Sequence, residues 1–207
     1  MRLSALIIAY HGCDHDLAKR VLLGQESVSI SDNDYDWFGT GAYFWENDPH
    51  RALQWAESIQ RRPQNSKHKI NQPAVVGAIL DPGNCLDLTD TESLRLVREA
   101  YEVYRLVQKY STEKSLPENR EGFVGDKDFV KRYLDCAVIN TLHNVRERSS
   151  EKEAPPFDSV RGILVEGPEL YPGAKIMSRT HIQICIRNPE KSVIGYFKPR
   201  IRQAQEE

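Results

Sequence analysis

Cysteine is scarce and scattered in this chain. Cys13, Cys85, Cys136 and Cys185 are spread over 207 residues, with no C-x-x-C pair. That spacing speaks against a zinc site, and no metal is expected. It predicts reduced thiols that pack as small apolar side chains in a cytoplasmic protein. No apolar run approaches the roughly 20 residues of a membrane span. The run Leu3–Ala9 is short and ends in Tyr-His-Gly, which argues against a signal peptide and for a first buried strand. Neither sign of charge dominates: 28 Lys and Arg face 30 Asp and Glu, a net charge of -2. No global field therefore draws the chain to nucleic acid or to an anionic membrane, although a local basic patch remains compatible. No G-x-G-x-x-G follows the first strand, which excludes the doubly wound dinucleotide fold. There is no internal repeat.

The composition is that of an ordinary globular domain, 40% apolar and 28% charged, long enough to bury a core. Strand one is expected over about 3–11. Asp14 or Asp16 then caps a short helix that carries Leu17, Ala18, Val21 and Leu22 and stops at Gly24. Residues 25–40 read as a polar loop, followed by a short strand Ala42–Trp45. Asn47-Asp48-Pro49 opens a helix with Ala52, Trp55, Ala56 and Ile59 on one face. Pro73–Asp81 reads as a buried strand, with Cys85–Leu88 a short extension of it. Two helices, about 90–110 and 127–147, make a central insertion. Late strands are expected at Gly162–Glu166, His181–Arg187 and Ser192–Phe197. The sum is a single α+β domain over 1–202, with a helical insertion at about 90–147 and a solvated tail at 203–207.

Two motifs carry the chemistry. Tyr10-His11-Gly12-Cys13 follows the first apolar run, and Phe38-Gly39-Thr40-Gly41-Ala42-Tyr43-Phe44 precedes a helix. His11 and Tyr43 are 32 residues apart. Together the motifs resemble the His and Tyr elements of the ADP-ribosyltransferase superfamily, in its His-Tyr-Glu branch. The resemblance covers about 10–13 and 38–56, and more loosely 160–199; it does not reach the central helices. It implies a core of two small packed sheets with flanking helices, NAD as substrate, and cleavage of the bond between ribose and nicotinamide. His11 would hold a ribose hydroxyl. Gly12 would let the backbone pair with the nicotinamide amide. Tyr43 would pack on the nicotinamide ring, with Trp55 as the other wall. Trp55 is equally well read as a core residue of its helix.

The family's third residue is a carboxylate on a late strand. Here the matching stretch is Thr180-His181-Ile182-Gln183-Ile184-Cys185-Ile186. Period-two alternation puts the isoleucines on one face and His181, Gln183 and Cys185 on the other. Gln183 can hydrogen-bond the ribose but carries no charge to stabilise an oxocarbenium. Glu166, on another late strand, is the next candidate. The departure from Glu argues against chain elongation and against ordinary arginine modification, and for transfer of one unit to an unusual acceptor. By its place in the family pattern, the loop Glu169–Ser178 matches the acceptor-recognition loop. Tyr171 and Lys175 are its exposed candidates, and His181 is a candidate base towards the acceptor.

Between 175 and 202, Lys175, Arg179, Arg187, Lys191, Lys198, Arg200 and Arg202 are opposed only by Glu190. A positive surface there suits an RNA or DNA acceptor; a solvated basic strand edge explains it as well. The chain resembles small bacterial stand-alone transferase toxins, which implies a toxin or antiphage effector and a cognate antitoxin partner. The acceptor, protein or nucleic acid, stays open. So do two other activities: NAD glycohydrolysis, and an inactive module that binds NAD or ADP-ribose.

Overall fold

The computed structural model describes residues 5–62, 69–111, 115–149 and 154–201. Arg202 and the expected tail at 203–207 lie outside them. The architecture is α+β, a seven-stranded mixed sheet with five helices. In chain order the elements are β1 (Ile7–Asp14), α1 (His15–Leu22), β2 (Ala42–Glu46), α2 (Pro49–Arg61), β3 (Pro73–Leu80) and β4 (Cys85–Asp87). Then come α3 (Thr91–Lys109), α4 (Tyr133–Arg148), β5 (Ser159–Leu164), β6 (His181–Ile186), α5 (Pro189–Ser192) and β7 (Val193–Phe197).

Helix starts follow their caps. The Asp14 carboxylate accepts from Asp16 N, Asp48 from Arg51 N and Asp90 from Ser93 N, at 3.0, 2.8 and 2.9 Å. Pro49 sits in the first turn of α2, where its missing N–H costs nothing.

The sheet order is β4-β5-β6-β2-β1-β3-β7, antiparallel except for β4 with β5. Hydrogen bonding joins the strands in one sheet rather than two packed sheets, but the join is narrow. β1 pairs with β3 through eight residues, from Ile7↔Leu80 to Asp14↔Pro73. It pairs with β2 only through Ala9↔Glu46 and Tyr10↔Trp45. Beyond Tyr10 the two strands separate.

Helices cover both faces. On one, α1 sets Ala18 and Val21 against Ala9, Phe44, Val76, Ile184 and Ile186. On the other, α3 and α4 set Ala100, Val138, Ile139 and Leu142 against Leu86, Val160 and Cys185, while α2 sets Ala52 against Trp45 and Val75. Each fully buried Val, Leu, Ile or Phe contributes about 1.5–3 kcal/mol. Alternation along β6 therefore divides residues between two buried faces, and Gln183 is 8% exposed.

Several elements differ from the sequence reading. β1 runs to Asp14, so His11 lies within the strand and not at its end. β5 begins three residues earlier, and Glu166 follows it. β4 does not extend β3; it lies at the opposite edge of the sheet. α4 starts at Tyr133 and not at 127. The buried Asp126 carboxylate explains this, because it accepts from Gly122 N, Asp128 N and Val130 N, each at 2.9 Å. Phe129 then adopts φ +51°, which no helix continues through. Asn119 supplies the missing cap, accepting from Leu134 N at 3.0 Å. All four cysteines are free and buried.

Candidate functional site

A cavity of about 680 Å³ lies where β1 and β2 separate. That size suits a small-molecule or cofactor site. His11, Gly12, Tyr43, Trp55, His181 and Gln183 all line it. Six residues chosen from sequence, spread from position 11 to position 183, thus meet at one place. Tyr171 and Lys175 are not part of its wall. They stand exposed on a hairpin closed by the Glu169↔Met177 bridge.

The opening is built from main chain. Asn47 N–H donates to Ile8 O at 3.0 Å, on the β2 side; His15 N–H donates to Gln72 O at 2.8 Å, on the β3 side. Alternation then turns the polar groups of even-numbered β1 residues towards β2. Gly12 is the first of these beyond the last β1–β2 pair, so its N–H and C=O face the opening. Its lack of a side chain has a packing cause. A Cβ on Gly12 would stand 2.1 Å from Ala52 O and 3.3 Å from Trp55 Cε3.

His11 spans the gap. Its Nδ1 lies 2.8 Å from Tyr43 O. A carbonyl oxygen only accepts, so Nδ1 carries the proton of this bond. The Tyr43 hydroxyl turns the other way. It donates to Gly39 O at 2.6 Å and accepts from Phe38 N at 3.0 Å, bracing the loop that precedes it. Burial, with Cys185 and Asp36 nearby, holds this phenol well above its ordinary pKa. Tyr43 can therefore offer its ring to a ligand but not a phenolate. The Phe-Gly-Thr-Gly segment is fixed in turn by α4: Gly39 has φ +77°, its Cβ would meet Asn140 Oδ1 at 2.4 Å, and Thr40 N donates to that oxygen. Trp55 is half-buried and lies 5.7 Å from Trp45, so its core and cavity roles coexist.

Gln183 sits opposite Trp45 in the β2–β6 register. Its side chain hydrogen-bonds no described residue, nor is it among the buried atoms closed off from the cavity. His181, the candidate base towards the acceptor, is buried. Its side chain is 2% exposed, Nδ1 donates to Arg179 O at 2.8 Å, and Nε2 is buried without a partner. Burial lowers its pKa, and the Arg51 charge adds to that, against the Arg179 carbonyl and Glu166. His181 is thus a buried ring in the cavity wall, held by Arg179 O. The Cys13 thiol also borders the cavity, but burial and Asp14 push it up to about 12, so it is inert as a nucleophile.

Sequence reasoning missed Arg51. It lines the cavity from α2 and pairs with Glu166, both largely buried. The signal was there: Arg51, Trp55, Ser58 and Arg62 recur at helical spacing, and all four face the cavity. The 122–131 loop was missed too. Phe123, Asp126, Asp128 and Lys131 form a wall, and Arg62 lies 4.2 Å over the Phe123 ring. Asp128 ties this wall to the far side, accepting from Gly167 N at 3.1 Å and Arg179 Nη2 at 2.9 Å.

The basic C-terminal stretch is partly neutralised: Arg179 pairs with Asp128, Arg187 with Glu147 and Lys191 with Asp158. Among the described residues no group of three or more His, Cys, Asp or Glu is placed to hold a metal. Nor is any helix among them long and apolar enough to cross a membrane.

No family model matches the chain, and no solved structure does. An uncharacterised protein of Methanocaldococcus jannaschii is 27% identical over 196 residues, covering 87% of this chain and 81% of its own length.

Proposed function

We propose that this chain is an NAD-dependent mono-ADP-ribosyltransferase. It breaks the bond between ribose and nicotinamide and passes ADP-ribose to a macromolecule. The observation that carries this reading is the convergence of His11, Gly12, Tyr43, Trp55 and Gln183 on one cavity. The fold reading that goes with it is an ADP-ribosyltransferase-like core, the halves of the sheet opening at β1 and β2 around the substrate.

Each residue has a part that its geometry supports. Gly12 offers an N–H and a C=O to the nicotinamide carboxamide. The ring of Tyr43, with Trp55, walls the flat nicotinamide. His11 Nε2 accepts from a ribose hydroxyl, and the Gln183 amide pairs with the ribose from the β6 side. Nicotinamide leaves as a neutral molecule, so no general acid is needed, and positioning and electrostatics do the work. In the cell the reading extends to a cytoplasmic toxin or antiphage effector restrained by a cognate antitoxin. The ion pairs along the basic stretch weaken the case for nucleic acid and favour a protein acceptor.

NAD labelled on the adenylate phosphate tests this. Purified protein is added to a cell lysate, and protein and nucleic-acid fractions are assayed separately. Label in one fraction, lost with Tyr43→Ala and Gln183→Ala, is the expected result. Free ADP-ribose without labelled macromolecule would instead mean a glycohydrolase. Intact NAD would refute the enzyme reading and leave a binding module.

A further inference from the structure

Cleavage of NAD develops positive charge on the ribose, and none of His11, Tyr43 and Gln183 brings a negative charge to meet it. Of the several carboxylates that line the cavity, Glu166 lies beside His181, 3.8 Å from its Nδ1. Glu166 is 8% exposed. It continues the β5–β6 ladder beyond Leu164↔His181, with Arg179 N–H donating to Glu166 O at 3.0 Å. Alternation puts its side chain on the sheet face that carries His181 and Gln183. Its two carboxylate oxygens have different surroundings. Oε2 accepts from Arg51 Nη2. Oε1 hydrogen-bonds no described residue, yet it is not among the buried atoms sealed from solvent. Within a largely buried side chain, that opens Oε1 to the cavity.

We propose that Glu166 is the catalytic carboxylate of this site, with Arg51 as its positioning residue; the assignment rests on the transferase reading above. The C1′–N bond of NAD breaks, and its electron pair leaves with neutral nicotinamide. The oxocarbenium that remains lies against Oε1. The acceptor's nucleophilic atom bonds to C1′, and its proton passes to Oε1 and on to solvent. Arg51 holds Oε2 and so fixes the rotamer without occupying the reactive oxygen. Gln183 then binds the ribose and bears none of the charge.

The test measures nicotinamide release together with NAD affinity, the latter from quenching of Trp45 and Trp55 fluorescence. Glu166→Gln is expected to lower kcat by about 100-fold or more, as loss of a preorganised electrostatic group does, with NAD affinity unchanged. Glu166→Asp keeps the charge and retains more activity than Glu166→Gln. Gln183→Ala weakens NAD affinity more than it lowers kcat. If Glu166→Gln does not fold, Arg51→Gln/Glu166→Gln removes both charges together and leaves neither buried alone. That double variant is expected to bind NAD and release no nicotinamide. Wild-type protein that cleaves NAD while Glu166→Gln, or the double variant, keeps its kcat overturns the assignment of Glu166 alone. Equal losses in Glu166→Asp and Glu166→Gln would make the residue a structural ion-pair partner and overturn it too. Wild-type protein that leaves NAD intact overturns the transferase reading and this assignment with it.

Discussion

His143 offers a sharp test of how the helical half of the molecule is packed. It lies in α4, 1% exposed, with its ring 6.2 Å from that of Phe157. Neither ring nitrogen hydrogen-bonds a described residue. Burial, reinforced by Arg187 and Arg146, lowers its pKa to about 3 from the ordinary 6.5. Below about pH 6.5 the unfolded chain therefore takes up a proton that the folded chain refuses. The stability that this group confers is complete above pH 6.5. It is lost as pH falls towards 3, at about 1.4 kcal/mol per pH unit. Between pH 8 and pH 5 the loss is about 2 kcal/mol. His143→Leu abolishes that slope. It also removes two unsatisfied polar atoms, for a gain on the order of 1 kcal/mol at pH 8. Urea denaturation followed by tryptophan fluorescence, for both proteins at both pH values, reads the difference. The advantage of the variant should widen from about 1 to about 3 kcal/mol as the pH falls. An advantage that is the same at pH 8 and pH 5 would refute the argument, because His143 would then carry its proton in the folded state or hydrogen-bond a trapped water.

Three further outcomes follow from the same structure. Gly12→Ala drives a methyl group into Ala52 O, so it should cost about 1–3 kcal/mol in urea melts and, by shifting α2, reduce NAD cleavage as well. A melt within about 0.5 kcal/mol of wild type would mean that α2 yields at no cost. Asp126→Ala leaves three backbone N–H groups without their acceptor; hydrogen exchange should rise across 122–130 while that of β3 stays unchanged. All four thiols are buried, and burial raises the pKa of each. Iodoacetamide should therefore label none of them in the native protein within minutes, and all four in urea.

How far the sequence could be read depended on how local its signals were. The capped starts of α1 and α2 were legible because the capping aspartate and the apolar periodicity lie in one short window. The start of α4 was not, because its first turns are held off by Asp126 and its cap comes from Asn119. The cavity residues His11, Gly12 and Tyr43 could be picked out only through motifs that resemble those of a known family, and Gln183 through the matching late strand, where period two gave its face. What His181 does could not be read this way. Alternation gives the face on which a side chain lies, but not that α2 and the 122–131 loop would roof that face over. Arg51 escaped for a related reason: a charged residue on an apolar helix reads as solvated until its buried partner, Glu166, is known, and that partner is 115 residues away.

The two-pair seam between β1 and β2 has a consequence for how this molecule can vary. The floor of the cavity is a missing stretch of ladder, fixed by where Ala9 and Tyr10 stop pairing with Glu46 and Trp45. The rim is drawn from segments such as 122–131 and 167–179, joined at Asp128. Floor and rim thus rest on separate hydrogen-bond accounts. Descendants of this chain are free to rewrite the rim, and with it whatever approaches the opening, while the place where a small molecule is held stays as it is.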